Sequence, residues 1–259
     1  MPRDALLENG YAHYAIRPKR ASLDGEIELL RSEFAKLELD PYAPSDANRY
    51  RRYGNGVILP WCHQATPHWM PALQGEGGQR LAAYGQGSFN PDHHRSRQFP
   101  CLSEDVMECE LLLDLIREDY SNTFWDSPGQ AMPIYFGVHF IKLTSCGPDK
   151  WGVSSPNCFH QDGETFTFAH LIHRSPNLDG GVNYIASPAL RDTPMEHVRP
   201  DQIISEFTLV NPLDSFVVHD PKVSHYVSPV RMASDSDRDA MVCERCMVLV
   251  DFSPTVQKI

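Results

Sequence analysis

A chain of 259 residues, 41% hydrophobic and 22% charged, has the make-up of a globular protein and can bury a real core, as one large β-rich domain or two small ones. Its formal net charge is -11 and it holds no sustained Lys/Arg run, which argues against a nucleic-acid partner, because such a surface repels phosphate backbones. Nothing reads as a secretion signal or reaches membrane-spanning length, so the expectation is a cytoplasmic protein with no membrane association.

The first predicted helix covers 22 to 39, with Ile27, Leu30, Phe34 and Leu37 on one face and Asp24 available as N-cap. Residues 40 to 100 show no strong period of either kind and read as irregular chain that covers or rims a site. Within them QGEGGQ (74 to 79) and NPDHHRSRQF (90 to 99) read as exposed loops, with His93 and His94 solvated. A second helix is predicted after Pro100, where Ser103 can cap and Glu104 and Asp105 suit the positive end of the dipole; Val106, Leu113, Ile116 and Tyr120 keep its period.

From residue 133 the texture changes to seven short β-type runs: IYFGVHFIKLT, TFTFAHLIHR, GVNYIAS, EFTLV, SFVVHD, VSHYVSPV and RCMVLVDF. Strands without intervening helical patterns argue for a sandwich or jelly roll, not a βαβ sheet. The expected fold is mainly β with flanking helices, a cupin-like jelly roll, the helices packing outside one sheet. It forms a single domain, with helices and covering loops over 1 to 132 and the jelly-roll core over 133 to 259. ASDSDRD (233 to 239) reads as a solvated connection between the last two strands. The seven Cys are scattered and read as reduced thiols; Cys243 and Cys246 form a CxxC without the second ligand pair that zinc needs.

His160-Gln161-Asp162 is the most informative segment. A His-x-Asp/Glu triplet should arise roughly once or twice by chance in a chain of this composition, so its surroundings must supply the specificity. In an extended strand positions i and i+2 share a face, so His160 and Asp162 can turn toward one ion. Two imidazoles and a carboxylate hold Fe(II) on one side and leave the other open, the arrangement of an oxygen-activating site. The third ligand is His225, in VSHYVSPV, or His219, in SFVVHDP, for which a turn histidine ahead of Pro221 is the plainer reading. His170 and His173 are three apart on a strand and cannot both point at one ion; His139 lines a cavity or is an interior, hydrogen-bonded ring.

Such an oxygenase draws two electrons from elsewhere, and a bound 2-oxo acid supplies them by losing carbon dioxide. The distal carboxylate of that acid needs a cation. Arg245, opening the last strand, can make a bidentate pair inside the barrel; Arg231 is the rival. For the carboxylate of a small substrate, Arg49, Arg51, Arg52 and Arg174 are candidates.

Several blocks together resemble the small iron and 2-oxoglutarate dioxygenases typified by isoleucine dioxygenase. LELDPYAPSDANRYRRY (37 to 53) looks like their N-terminal signature, SPNCFHQDG their metal-binding region, and NLDGGVNYIAS the Gly-Gly strand that follows. NPLDSFVVHDPKVSHYVSPV resembles the block with the last ligand, which puts it at His225, and RCMVLVDF the final strand, which favours Arg245. The resemblance spans about 35 to 252. It implies a jelly roll that binds Fe(II) through His160, Asp162 and His225, uses 2-oxoglutarate and O2, and hydroxylates an unactivated C–H bond of a free L-amino acid or related small molecule. Lys142 and the bulky Cys158-Phe159 depart from the family pattern and put substrate identity in question. Asp162 is intact, unlike the halogenase variant that replaces this carboxylate. A non-catalytic cupin-like binding protein, and an oxygenase for a protein- or carrier-tethered residue, are the competing readings.

Overall fold

Alternation along the strands sorts the side chains into a face covered by helices and a face lining a cavity. A computed structural model describes the chain apart from residues 1, 19, 63–64, 86–95, 127–130, 148, 155, 234–241 and 255–259. The first part contributes α1 (Pro2–Asn9), β1 (Tyr11–Ala15), α2 (Leu23–Ala35), β2 (Arg49–Ile58), β3 (His68–Trp69), β4 (Leu73–Gln74), β5 (Arg80–Tyr84) and β6 (Arg97–Pro100). Then come α3 (Glu104–Met107), α4 (Glu110–Asn122), β7 (Ile134–Ser145), β8 (Phe166–Arg174), β9 (Leu178–Gly180) and β10 (Val182–Ala186). β11 (Ile203–Thr208), β12 (Asp214–His219), β13 (Ser224–Val227), β14 (Val230–Met232) and β15 (Cys243–Pro254) complete the chain.

The main sheet has seven strands in the order β1-β12-β8-β15-β7-β2-β3, antiparallel at every junction. Across the cavity lie the β11-β10-β13 sheet and the β14-β9 ribbon, which makes a jelly-roll sandwich. On the outer face of the main sheet Phe136, Val138, Phe140, Phe166, Phe168, Val248, Val250 and Phe252 are buried against Leu30 and Phe34 of α2 and Leu111, Leu112, Leu115 and Ile116 of α4. Each such side chain contributes roughly 1.5–3 kcal/mol, so this layer holds the helices on one sheet, as the sequence predicts.

The helices differ from expectation in detail. α2 begins after Ser22, not at Asp24, and the second predicted helix is broken at Glu108 and Cys109 into α3 and α4. Ser103 does stand at the N-cap of α3, but its hydroxyl donates to Glu33 Oε2 at 2.8 Å. Buried Glu33 also accepts from Ser103 N–H and from Arg52 Nη1, so one carboxylate ties α2 to α3 and β2. A second polar tie links α4 to the sheet: His170 bonds Asp119 at 2.8 Å and Ser215 at 2.9 Å. This Asp-His-Ser row is fully buried and no substrate reaches it.

Two expectations are corrected. Residues 40 to 100 are not irregular, because β2 is a ten-residue strand of the main sheet and β4, β5 and β6 form a sheet of their own. β1, β2 and β3 all join the main sheet, so position 132 does not separate cover from core. β2 escapes detection because its inward positions are Arg49, Arg51 and Tyr53, which give no apolar period. QGEGGQ is largely exposed as predicted. His93, His94 and most of 233 to 239 lie outside the described residues. All seven Cys are free thiols, and Cys243 and Cys246 are buried in separate clusters.

Candidate active site

His160 and His225 exchange backbone hydrogen bonds, N–H to C=O at 2.9 Å in both directions, which sets their ring centroids 4.3 Å apart. Because β13 also pairs with β10, placing His225 opposite Ile185, the sheet fixes both rings. His160 Nδ1–H donates to the Cys158 carbonyl at 2.9 Å, a tautomer that leaves Nε2 with a free lone pair. Asp162 reaches both: Oδ1 lies 3.6 Å from His160 Nε2 and Oδ2 3.4 Å from His225 Nε2. All three ligand atoms fall within 4.8 Å of one another.

His160 occupies a single β-bridge and Asp162 the turn that follows it, with Gly163 at φ 89°. What fixes that turn is Asp220, a residue that no sequence motif singles out. Its buried carboxylate accepts the N–H groups of Asp162 and Gly163, both at 2.9 Å. Burial, reinforced by His160, brings His225 down to about 4, so at neutral pH it presents the neutral imidazole that binds metal. Burial works against ionisation of Asp162, yet the His225 and His160 rings carry its carboxyl below its usual value. Two imidazoles and a carboxylate facing an open cavity fit Fe(II). His219 is not part of this set; it stacks on Phe166 at 4.9 Å and packs against Phe124.

Replacing Asp220 with alanine should loosen the Asp162 turn and weaken metal binding by roughly 10–100-fold, the usual cost of losing a partner that orients a ligand. Anaerobic calorimetry with Fe(II) or Mn(II) measures this, and an unchanged affinity would remove Asp220 from the site.

Strand register lays out the rest of the cavity floor. Across β2, β7 and β15 the inward rows are Arg49, Leu143 and Arg245, then Arg51, Ile141 and Met247, then Tyr53, His139 and Leu249, then Asn55, Gly137 and Asp251. Arg245 is 5% exposed. Its one hydrogen bond among the described residues is a long one, 3.4 Å from Nη2 to Asn183 Oδ1, and Nε has none. Burial, and then Arg174, lower this guanidinium to about 10, which still leaves it charged at neutral pH. A Cβ at Gly181 (φ +68°) would lie 3.1 Å from Arg245 Cδ, so the Gly-Gly turn makes room for this side chain. Arg231 instead faces outward, paired with Asp179 at 3.0 Å and over the Trp151 ring.

Of the four arginines considered for a substrate, Arg49 and Arg51 line the cavity. Arg52 pairs with Glu33 and Glu38 on the other face, and Arg174 donates to the Leu178 and Gly180 carbonyls. Arg97, which the sequence places in a loop, is 4% exposed on β6 and lines the same cavity. His139 lines it too and is also hydrogen-bonded, to Arg51 and Asp251. Glu164, Tyr84 and Asn183 add to the polar lining, and no local pattern marks any of the three. Lys142 projects to the helix side, its Nζ donating to the Phe34 carbonyl at 2.7 Å, and Phe159 packs behind the site with Ala186 and Tyr226. Lys142 therefore has no bearing on what the cavity accepts. The space enclosed, mouth included, is about 1000 Å³.

A triad suited to Fe(II) and a buried arginine without an acid facing it thus share one jelly-roll cavity. The model of the family described as 2OG-Fe dioxygenase matches residues 31–244. The chain belongs to this family. It is a 2-oxoglutarate-dependent non-heme iron dioxygenase, with Fe(II), 2-oxoglutarate and O2 as its cofactor and co-substrates, and the non-catalytic reading falls. The chain is similar to the 3(1)-hydroxy-L-isoleucine 4-dioxygenase of Pantoea ananatis, 28% identical over 240 residues, which cover 90% of this chain and 83% of that protein. Its fold matches the crystal structure of IDO from Bacillus thuringiensis with a TM-score of 0.73 at 18% identity, covering 98% of this chain and 95% of that one. A bsmA homolog from Methylobium petroleophilum matches with a TM-score of 0.69 at 17% identity, covering 99% and 94%. No helix among the described residues is long and apolar enough to cross a membrane.

Proposed function

We propose that this dioxygenase hydroxylates an unactivated C–H bond of a free L-amino acid or a closely related small molecule, one oxygen atom of O2 entering the product and the other the succinate that forms, with carbon dioxide, from 2-oxoglutarate. His160, Asp162 and His225 hold the iron, and Arg245 pairs with the distal carboxylate of 2-oxoglutarate. The observation that carries this reading is the meeting in one cavity of a three-ligand set and a buried guanidinium lacking an acidic partner. The Pantoea relative, whose name specifies a hydroxylated L-isoleucine, supports the amino-acid substrate.

Bound Fe(II), 2-oxoglutarate and O2 supply the oxidising power. The chain's own residues do the positioning. The fixed His160 tautomer and the Asp220 clamp hold the ligand atoms in place, and the Arg245 fork sets the register of the co-substrate against Leu143 and Met247. Met247, Leu249, Ala169 and Phe216 form an apolar wall on the same side, which keeps water from the reacting centre.

A panel of free amino acids, including hydroxylated L-isoleucine, tests the proposal through succinate release and a product heavier by one oxygen. Turnover with at least one member is expected, and succinate without any oxygenated product would refute hydroxylation.

A further inference from the structure

Beside the metal ligands and Arg245, the cavity holds buried ionisable groups that iron and 2-oxoglutarate do not occupy. Arg51 and Arg97 are each 4% exposed, Glu164 7% and Asp251 2%, and all four line the cavity. The two guanidiniums flank the same pair of rings. Arg51 lies 4.2 Å from the Phe99 centroid and 5.0 Å from that of Tyr84; Arg97 lies 5.0 Å from Tyr84 and 5.7 Å from Phe99. Arg49 is engaged with Asp40 at 3.4 Å.

Internal bonds fix Arg51, Glu164 and Asp251 without exhausting them. Arg51 Nη2 donates to His139 Nδ1, and His139 Nε2–H donates to Asp251 Oδ2 at 2.6 Å. Tyr84 O–H donates to Glu164 Oε1 at 2.8 Å. That leaves Arg51 Nε, Glu164 Oε2 and Asp251 Oδ1 buried without a hydrogen-bond partner among the described residues. A buried polar atom left unpaired costs roughly 1–3 kcal/mol, more when charged, so such atoms mark where a ligand completes the bonding. An unpaired guanidinium donor beside unpaired carboxyl oxygens on one wall calls for a ligand that carries both an anion and a cation.

We propose that Arg51 and Arg97 take the α-carboxylate of the substrate and Glu164 its α-ammonium, so that the enzyme requires a free zwitterionic amino acid and rejects a residue tethered at either end. This inference rests on the proposed function and names the groups that would select its substrate. Tyr84 is the positioning residue between the two halves: it bonds Glu164 and presents its ring to both arginines. Gly137 makes the arrangement possible, because a Cβ there would come within 2.6 Å of Tyr53 Oη and 2.7 Å of Asp251 Oδ2.

The test compares each amino acid that stimulates succinate formation with its own N-acetyl derivative and methyl ester. Both derivatives are expected to lose at least ~100-fold in kcat/KM, two decades being the scale for a buried charged group left unpaired. Glu164→Gln and Arg97→Leu should each raise KM for the amino acid at least tenfold more than KM for 2-oxoglutarate, with Arg97→Lys recovering part of the loss. Turnover of the N-acetyl form or the ester within threefold of the free amino acid overturns the proposal. So does turnover of a peptide- or carrier-linked residue alone, an outcome that leaves the oxygenase reading standing. Protein that binds neither iron nor 2-oxoglutarate would overturn both.

Discussion

Asp162→Ala is expected to abolish substrate-dependent succinate formation while leaving the fold intact. Among the described residues Asp162 supplies the single carboxylate in the ligand set, and without it two imidazoles remain on one side of the ion. Loss of an orienting partner alone typically costs 10–100-fold, so loss of the ligand itself should exceed about 10³-fold in kcat/KM. Stability should change little. Burial, and after it the Asp162 charge, raises both Asp220 and Asp251 to about 7; removing that charge relieves this repulsion but also forfeits the attraction of the His225 and His160 rings that holds the Asp162 carboxyl below its usual value. The Asp220 bonds to the backbone N–H groups of 162 and 163 do not depend on the side chain. A thermal melt close to wild type, with turnover lost, is the expected pair of results. Unchanged turnover would defeat the metal site, whereas a collapsed melt would show that Asp162 is needed for folding.

Arg245→Met should raise KM for 2-oxoglutarate by on the order of 10²-fold, since truncating one partner of a buried charge pair costs about 2–5 kcal/mol and each 1.4 kcal/mol is tenfold. Arg245→Lys keeps the charge but loses the fork that grips a carboxylate through two bonds, so a loss of about tenfold is expected. The protein without ligand should tolerate either change. A guanidinium 5% exposed and bonded, among the described residues, to Asn183 alone is a burden to the folded chain, and methionine of similar length replaces it with apolar packing. Kinetics at varied 2-oxoglutarate, beside a urea melt, separate the two effects. If KM stays at the wild-type value in Arg245→Met, another residue holds the co-substrate; Arg231, facing Asp179 at the surface, is badly placed for it.

Short-range chemistry is legible in the amino-acid order alone. The helix periods of Ile27, Leu30 and Phe34, the alternation after residue 133 and the HxD spacing each reflect interactions within a few residues, and the blocks around them point to the family. Register is not legible. β2 hides because its cavity face is charged, and Arg97 and Glu164 sit in segments whose polarity reads as solvated chain. Burial of a charge depends on which strands meet it across the cavity, and no local pattern encodes that.

The sequence by itself therefore determined the two helical segments that cover the sheet, the strands after residue 133, the jelly-roll class and a short set of candidate ligands, because propensity, periodicity and donor chemistry are local. Only the tertiary structure decided among the alternatives. It set His225 against His160 through one pair of backbone bonds and stacked His219 on Phe166. It turned Arg245 inward and Arg231 out, and placed Arg51, Arg97 and Glu164 around Tyr84. These outcomes depend on pairings between strands far apart in sequence, which exist only once the two sheets have closed over the cavity.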